Sequence, residues 1–337
     1  MKKQYLLGVD GGNTKTLYLL HDTDGNFVDH IAAGTCSHEA LADSFHGTEA
    51  ELVRQISALF ARNGITAGDI AFAVFGLAGC DFPDQKEALS KIIARLGFDH
   101  FIVENDGFLG LKAGSASGTG ICSINGTGTV TVGINASGER LQIGGLGEIS
   151  SDRAGGVYIA RRGAALIYDS LFRCGCDTLL KTMFFDTYRV SSDGEFVYRA
   201  TQVLESKNDV LQMNKFMEEA EQRGDRAVID VLREVGGALA QNVLGCASRL
   251  NMTGEIPVVL TGSVWAKGNF PAMTAAFEET LAQQKKYRFS IDKLKQPPAA
   301  GAVIWAMEEY RKRRPELPIS FSKAALLACE ALAKISY

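Results

Sequence analysis

Two glycine-rich turns, 115 residues apart, constrain this sequence more than any other feature. The first is Asp10-Gly11-Gly12-Asn13 and the second is Asn125-Gly126-Thr127-Gly128, and each lies between two short apolar stretches. A further turn signal follows each of them at a similar distance, at Gly25 and at Gly138. The pattern predicts three antiparallel strands joined by tight turns, twice in the chain. One repeat on this scale indicates two similar α/β domains rather than a solenoid.

The segments around the repeat alternate between strands and helices and become mostly helical in the second half. Apolar residues at helical spacing end at Gly64, and Pro83 begins the next helix. Further strands are predicted at 70–75, 101–103, 256–260 and 287–290, and helices at 155–172, 227–250, 299–313 and 322–334. We expect an N-terminal domain of residues 1–114 with about 315–337, and a C-terminal domain of residues 115–314 that contains a helical insert.

The composition excludes several classes of protein. The chain has 337 residues and a formal net charge of −4, which suits two domains and disfavours non-specific binding to nucleic acid. No apolar run reaches the roughly 18 residues of a membrane span, and the N-terminus lacks a signal-peptide pattern. Because the seven cysteines are scattered and no export signal is present, we expect reduced thiols and a cytoplasmic protein. The close pair Cys174-Gly175-Cys176 lacks the CxxC spacing of a metal site.

The first turn has the composition of a phosphate-binding loop, Asp10-Gly11-Gly12-Asn13-Thr14-Lys15-Thr16. Glycines let backbone N–H groups approach an anion, the threonines add hydroxyl donors, and the lysine adds a positive charge. Asp10 suits contact with Mg²⁺ through water. The alternative is a hairpin turn in which these residues serve only the backbone conformation.

The second turn repeats this chemistry in Gly126, Thr127, Gly128 and Thr129. Two such turns in matching positions favour a polyphosphate ligand gripped from both sides. Thr261-Gly262-Ser263 lies between an apolar strand and a helix, which fits backbone contact with a nucleotide, although strands commonly end in this way.

Two carboxylates have positions that suit chemistry. Asp106 follows a strand, where it could take a proton from a substrate hydroxyl or cap the next helix. Asp152 and Arg153 precede another helix. They could have a functional role, or Asp152 could cap the helix while Arg153 is a surface charge.

Together these motifs resemble the sugar kinase/Hsp70/actin superfamily and, within it, the BadF/BadG/BcrA/BcrD-type ATPases, which include amino-sugar kinases. LGVDGGNTKT is similar to the first phosphate motif of the family and INGTGT to the second. LTGSVW, with Gly262 and Ser263, is similar to the adenosine-side segment, and Pro298 to Ala302 resembles the start of the helix that follows it. The resemblance implies two ribonuclease H-like (actin-like ATPase) domains with a cleft between them that binds ATP and Mg²⁺.

The resemblance extends to the sugar side of such a site. It implies that Asp106 is the general base and that the residues around the sugar are Ser37, His38, Gly79, Asp81, Asn105, Gly145, Leu146 and Asp152. The sequence departs from the family pattern at two of these residues, where Leu146 replaces a tryptophan and Ser37 an asparagine. It also departs next to Asp152, where Arg153 replaces an acidic residue. An arginine there could favour an acidic sugar.

The implied activity is ATP-dependent phosphorylation of an amino sugar, with N-acetylglucosamine and its 6-phosphate as the leading substrate and product. One alternative is a kinase of N-acetylmuramic acid or glucosamine. The other is an ATPase that activates an electron-transfer partner, which in the resembling branch needs cysteines for an iron–sulfur cluster. We expect no nucleic-acid or membrane partner, and the oligomeric state stays open, with a homodimer as one option.

Overall fold

The computed structural model describes residues 4–314, so the predicted helix at 322–334 lies outside the described residues. In this range the strands are β1 (Tyr5–Gly11), β2 (Lys15–Asp22), β3 (Phe27–Gly34), β4 (Ile70–Leu77), β5 (Phe101–Glu104), β6 (Gly120–Asn125), β7 (Thr129–Ile134), β8 (Arg140–Gly144), β9 (Glu255–Thr261) and β10 (Arg288–Lys293). The helices are α1 (Ser44–Asn63), α2 (Pro83–Arg95), α3 (Gly107–Gly114), α4 (Gly156–Phe172), α5 (Leu179–Tyr188), α6 (Asp193–Glu205), α7 (Lys207–Gln222), α8 (Arg226–Arg249), α9 (Ser263–Lys267), α10 (Pro271–Ala282) and α11 (Ala299–Arg313). None of these helices is long and apolar enough to cross a bilayer.

The repeat seen in the sequence is a repeat of two sheets. The first sheet has the order β3-β2-β1-β4-β5, and the second has β8-β7-β6-β9-β10, which is the same order counted from the first strand of each. In the first sheet β1 is antiparallel to β2 and parallel to β4, and β4 is parallel to β5. The prediction of two similar α/β domains is therefore confirmed.

Strand β4 lies inside the core of the first sheet. Every residue of β4 is buried, as expected for a strand covered on both faces. Helix α1 buries Leu52, Ile56 and Leu59 against this core and ends at Gly64, whose φ of 63° is the left-handed conformation that glycine adopts without strain.

The chain divides into two compact units, and the division differs from the predicted boundaries. The first unit runs to Cys122 and includes the described residues from Leu294 onward, whereas the second is Ser123–Lys293. Helix α11, which was expected in the C-terminal domain, packs against α3 and β1 of the first unit. Close approach requires glycine, because a Cβ on Gly301 would lie 2.0 Å from the carbonyl oxygen of Leu109. The prediction that the small residues of this helix suit close packing is thus confirmed, and the packing is within the first unit.

The helical insert of the second unit contains three helices that were not predicted individually from the sequence, α5, α6 and α7. Each begins at a residue whose hydroxyl accepts a backbone N–H of the first turn: Thr178, Ser192 and Ser206. Such caps are the usual start signal of a helix, and they were available in the sequence.

Candidate active site

The hairpin between β1 and β2, here the first hairpin, exposes the tip of the predicted phosphate loop. Asn13, Thr14 and Lys15 are exposed, and the amide of Gly12 donates to the carbonyl of Lys15 at 3.0 Å. Gly11 is packed closely, since a Cβ there would lie 2.7 Å from both Cys36 Sγ and Leu77 Cδ2. An anion can therefore approach this exposed tip.

Thr16 was predicted to bind phosphate, and the structure places it elsewhere. It is buried, and its Oγ1 accepts the backbone N–H of Cys36 at 3.0 Å. Thr35 Oγ1 donates to the carbonyl of Gly12 at 2.9 Å, which ties the same segment to the turn. Thr16 therefore supports the first hairpin from behind.

Three carboxylates of the first unit, Asp10, Asp81 and Asp106, are close enough to influence one another, and we call them the acidic group. Asp10 lies near the end of β1 opposite Gly76 of β4, and Gly76 lies opposite Glu104 of β5. Because these strands are parallel, their carboxyl ends meet at one edge of the sheet, and Asp81 and Asp106 follow two of those ends.

The electrostatics of the acidic group favour proton uptake at Asp106. Burial is the main cause that raises the pKa of Asp106 to about 7, and the negative charges of Asp10 and Asp81 contribute to the same rise. Burial also raises the pKa of Asp10 to about 6, while the charge of Lys15 opposes this change. A carboxylate with a pKa near neutrality is suited to accept and release protons.

The alternative role for Asp106, a helix cap, is not what the structure shows. Asp106 occupies the cap position of α3 with helical backbone angles, φ −58° and ψ −24°, and its side chain makes no capping hydrogen bond. Instead Asn105 Oδ1 accepts the N–H of Gly107 at 2.8 Å, and Asn105 Nδ2 donates to Asp81 at 2.9 Å. Asn105, predicted to contact the sugar, thus caps the helix and holds Asp81.

Two predicted sugar-side segments of the first unit meet. Ser37 Oγ donates to the carbonyl of Ala78 at 3.3 Å, and a Cβ on Gly79 would lie 2.7 Å from the ring of His38. Gly79 has a φ of 79°, which also requires glycine. The ring of His38 stacks on Phe45 with centroids 4.1 Å apart.

The hairpin between β6 and β7, the second hairpin, repeats the division seen in the first. Thr127 and Gly128 are exposed at its tip. Thr129 was predicted to bind phosphate, but it is buried and its hydroxyl donates to the carbonyl of Ile124 at 2.9 Å. In each hairpin, therefore, one threonine stays available and the later one holds the turn.

The second hairpin and the predicted adenosine-side segment are in contact. Gly262 has a φ of 102°, and a Cβ there would lie 2.5 Å from the carbonyl carbon and oxygen of Asn125. Ser263 is exposed at the start of α9, and Gly126 has room for a Cβ, 3.7 Å from Gly262 Cα. The structure brings together these two motifs, which are more than a hundred residues apart in the sequence.

Asn125 connects the second hairpin to its neighbouring elements, a role that the sequence analysis did not predict. Its Oδ1 accepts the N–H of Gly155 at 2.8 Å, and its Nδ2 donates to Met273 Sδ at 3.4 Å. The N–H groups of Gly156 and Val157 donate to carbonyls of the second hairpin at 2.8 and 3.2 Å. A buried amide beside a glycine-rich turn is a signal that could have been used.

Asp152, which was predicted to bind the sugar, accepts hydrogen bonds from its own loop. It accepts the N–H groups of Gly145 and Gly147 at 3.2 and 2.8 Å, and the hydroxyl of Ser150 at 2.8 Å. These bonds shape the segment 144–152, here the glycine loop. Leu146 in this loop is 37% exposed.

A cavity of about 570 Å³ lies in the second unit. Its walls are the tip of the second hairpin, the glycine loop and one face of α4, and its volume is typical of small-molecule sites. The residues that line it are Thr127, Gly128, Thr129, Gly145, Gly147, Glu148, Ser151, Asp152, Arg153, Ala154, Val157, Tyr158 and Arg161. Residues predicted for phosphate and for sugar therefore share one concave surface.

No group of three or more His, Cys, Asp or Glu side chains within residues 4–314 is arranged to hold a metal ion by itself. Cys174 and Cys176 are exposed free thiols. A divalent cation at the acidic group would have to bring further ligands with it.

Comparison with known proteins agrees with this arrangement. Residues 7–306 match the model of the BadF/BadG/BcrA/BcrD ATPase family. The chain belongs to this family. The BadF/BadG/BcrA/BcrD assignment covers both sheets and both hairpins, so the family resemblance inferred from the motifs is confirmed.

Among curated proteins, this family member is 25% identical to the N-acetylmuramic acid/N-acetylglucosamine kinase of Clostridium acetobutylicum, over 91% of this chain and 99% of the relative. It is 21% identical to the N-acetyl-D-glucosamine kinase of Dictyostelium discoideum, over 78% and 86%. A solved structure from Chromobacterium violaceum, described as that of a putative N-acetylglucosamine kinase, has a TM-score of 0.65 and 21% identity, and the match covers 89% of this chain and 98% of that one. This similarity shows that the chain has the same fold as that structure.

Proposed function

We propose that this chain is an ATP-dependent kinase that phosphorylates a hydroxyl of an amino sugar, with N-acetylglucosamine and its 6-hydroxyl as the first candidates. The observation that carries the proposal is the state of Asp106, which follows β5, makes no capping hydrogen bond and has a pKa raised to about 7. The two curated relatives, one kinase of N-acetylmuramic acid and N-acetylglucosamine and one of N-acetylglucosamine, support it.

In this proposal Asp106 accepts the proton of the sugar hydroxyl. The O–H bond breaks as the oxygen bonds to the terminal phosphorus of ATP, the bond between that phosphorus and the bridging oxygen breaks, and ADP leaves with the electron pair. Such transfers depend mainly on positioning and charge stabilisation. A correctly placed general base contributes about 10²- to 10⁴-fold in rate.

The exposed groups of the two hairpins are the proposed phosphate ligands. Thr14 and Lys15 in the first unit, and Thr127 with the open side of Gly128 in the second, can donate to phosphate oxygens. Ser263 at the start of α9 is the proposed contact to the nucleotide on the adenosine side. Thr16 and Thr129 support the turns.

Mg²⁺ fits Asp10 as an outer ligand. A carboxylate oxygen is the donor that Mg²⁺ prefers, and the ion commonly keeps waters and takes its other ligands from substrate phosphates. Asp10 lies beside the exposed hairpin tip, and the described part of the chain holds no ready cluster of three acidic, His or Cys ligands, which suits an ion that arrives with ATP. When bound, the ion would neutralise phosphate charge; Asp10 would orient its water.

We place the reaction in the cytoplasm, where ATP is available. The six cysteines within residues 4–314 are all free thiols, which supports a reducing compartment.

The test is ADP release across a panel of sugars: N-acetylglucosamine, N-acetylmuramic acid, N-acetylmannosamine, glucosamine and glucose. We expect release to depend on an N-acetylated sugar and to stop in Asp106→Asn. Release that is equal with and without every sugar would contradict the kinase proposal. If the purified protein also contained iron, the electron-transfer ATPase would replace it.

A further inference from the structure

The wall of the cavity in the second unit contains four charged side chains that differ in how they are occupied. Asp152 is held by the backbone of the glycine loop and by Ser150. Glu148 and Arg161 are exposed, and Arg153 is 55% exposed at its side chain. The two arginines differ in whether another side chain of the described residues already forms a hydrogen bond or an ion pair with them.

Arg153, the cation that the sequence pointed to, already has partners. Its Nε donates to Ser151 Oγ at 3.3 Å, and its guanidinium lies 3.7 Å from Glu234. The neighbouring cation on α4, Arg162, donates to Tyr158 Oη at 3.0 Å and to Glu234 at 2.7 Å. Glu234 thus draws both guanidinium groups toward α8.

Arg161 differs from both. Among residues 4–314 it has no hydrogen bond and no ion pair, although it lines the cavity. It lies one helical turn after Val157, which lines the same wall, so α4 directs both side chains to the same side. A guanidinium offers five N–H donors in a planar fork that matches a carboxylate in a bidentate manner.

The remaining surface of the cavity is suited to a sugar. The glycine loop contributes backbone through Gly145 and Gly147, and Glu148 can accept hydrogen bonds from hydroxyl groups. Leu146, the expected specificity position, is outside the lining, whereas its two neighbours are part of it. An uncharged amino sugar would leave Arg161 without a partner.

We infer that Arg161 binds a carboxylate carried by an N-acetylated amino sugar, so that acidic amino sugars are substrates of this chain and Arg161, not Arg153, selects them. The inference rests on the proposed function, because the cavity becomes a substrate site only if the chain acts on amino sugars. The guanidinium would contact the acidic substituent of the sugar.

The test compares kcat/KM for N-acetylmuramic acid, which carries a carboxylate, with kcat/KM for N-acetylglucosamine, which does not. We expect Arg161→Gln to lower the ratio of the two values at least tenfold and Arg161→Lys to lower it less, because an ammonium keeps the charge but not the fork. Arg153→Gln should change the ratio by less than about threefold. Arg173→Gln is the matched control, since Arg173 lies just after α4, is 70% exposed and pairs with Asp169.

The possible outcomes distinguish a failure of the proposed function from a failure of the inference about Arg161. If the wild-type protein phosphorylates neither sugar, the proposed function fails. If it phosphorylates N-acetylglucosamine but not N-acetylmuramic acid, or if Arg161→Gln leaves the ratio unchanged, the inference is overturned and the kinase proposal stands. A KM for ATP that rises equally with both sugars in Arg161→Gln would also overturn it, because the guanidinium would then serve phosphate.

Discussion

Replacing Asp106 with asparagine should remove activity and at the same time stabilise the fold. The amide keeps the shape of the side chain but cannot take the hydroxyl proton, so kcat should fall by about 10²- to 10⁴-fold. The side chain makes no capping hydrogen bond, and asparagine keeps an oxygen in the same place, so the substitution should leave the start of α3 intact. In the wild type, kcat/KM for the sugar should fall as the pH drops below about 7, where Asp106 becomes protonated.

The gain in stability follows from the raised pKa. In the unfolded chain an aspartate loses its proton near pH 3.8, whereas in the folded protein Asp106 holds it up to about pH 7. Between these values the folded state binds more protons, so this group's contribution to the free energy of unfolding falls as the pH rises through that window. Each pH unit corresponds to about 1.4 kcal/mol. The advantage of Asp106→Asn over the wild type should therefore grow by about 2–3 kcal/mol between pH 5 and pH 8.

Urea unfolding at the two pH values measures this difference, and a coupled ADP assay measures kcat. Asp99→Asn is the matched control, because Asp99 is an exposed aspartate in the same unit. It should change stability by less than about 0.5 kcal/mol at either pH. A kcat for Asp106→Asn within about threefold of wild type, or a stability difference that is the same at pH 5 and pH 8, would refute the reasoning.

Three further predictions concern the hairpin, the glycine loop and the core. Gly126→Val should lower the affinity for ATP at least tenfold, about 1.4 kcal/mol, as measured by calorimetry. The fold should stay intact, because a Cβ at this position would lie 3.7 Å from its nearest neighbour. Unchanged affinity would exclude a phosphate role for this turn. Asp152→Ala should raise the KM for the sugar, because three hydrogen bonds of the glycine loop are lost. The KM for ATP should stay within about twofold of wild type. An equal rise of both KM values would contradict this prediction. Gly301→Ala should lower the free energy of unfolding by about 3 kcal/mol or more, because the new Cβ would lie 2.0 Å from a carbonyl oxygen. Its control, Gly237→Ala, has open space and should be neutral or slightly stabilising in the same unfolding measurement.

The sheets were predictable from the sequence because their signals are local. Turn residues between short apolar stretches gave both hairpins, and the spacing of the two turns gave the duplication. The destination of α11 could not be obtained in this way. Its small residues indicate a close contact, but only the fold shows that the contact is with Leu109 of α3 rather than with a nearer element of the chain.

The sequence predicted which segments form the candidate site better than it predicted what each residue does there. The motifs correctly marked the segments that meet, such as Ser37 with the loop at Gly79, and Gly126 with Gly262. They could not distinguish exposed hydroxyls from buried ones, because the motif does not mark where β2 begins: Thr14 lies in the turn before the strand, and Thr16 lies inside it. The motif also marked Asp152 without showing that the backbone of its own loop donates to its carboxylate.

The central claim is phosphoryl transfer to an amino sugar, and its most direct test is the product itself. The protein would be incubated with ATP, Mg²⁺ and N-acetylglucosamine, and ³¹P NMR would follow the phosphorus. The account predicts one sugar phosphomonoester for each ADP formed, and none with Asp106→Asn. ADP that accumulates with inorganic phosphate alone, at a rate that the sugar does not change, would contradict it.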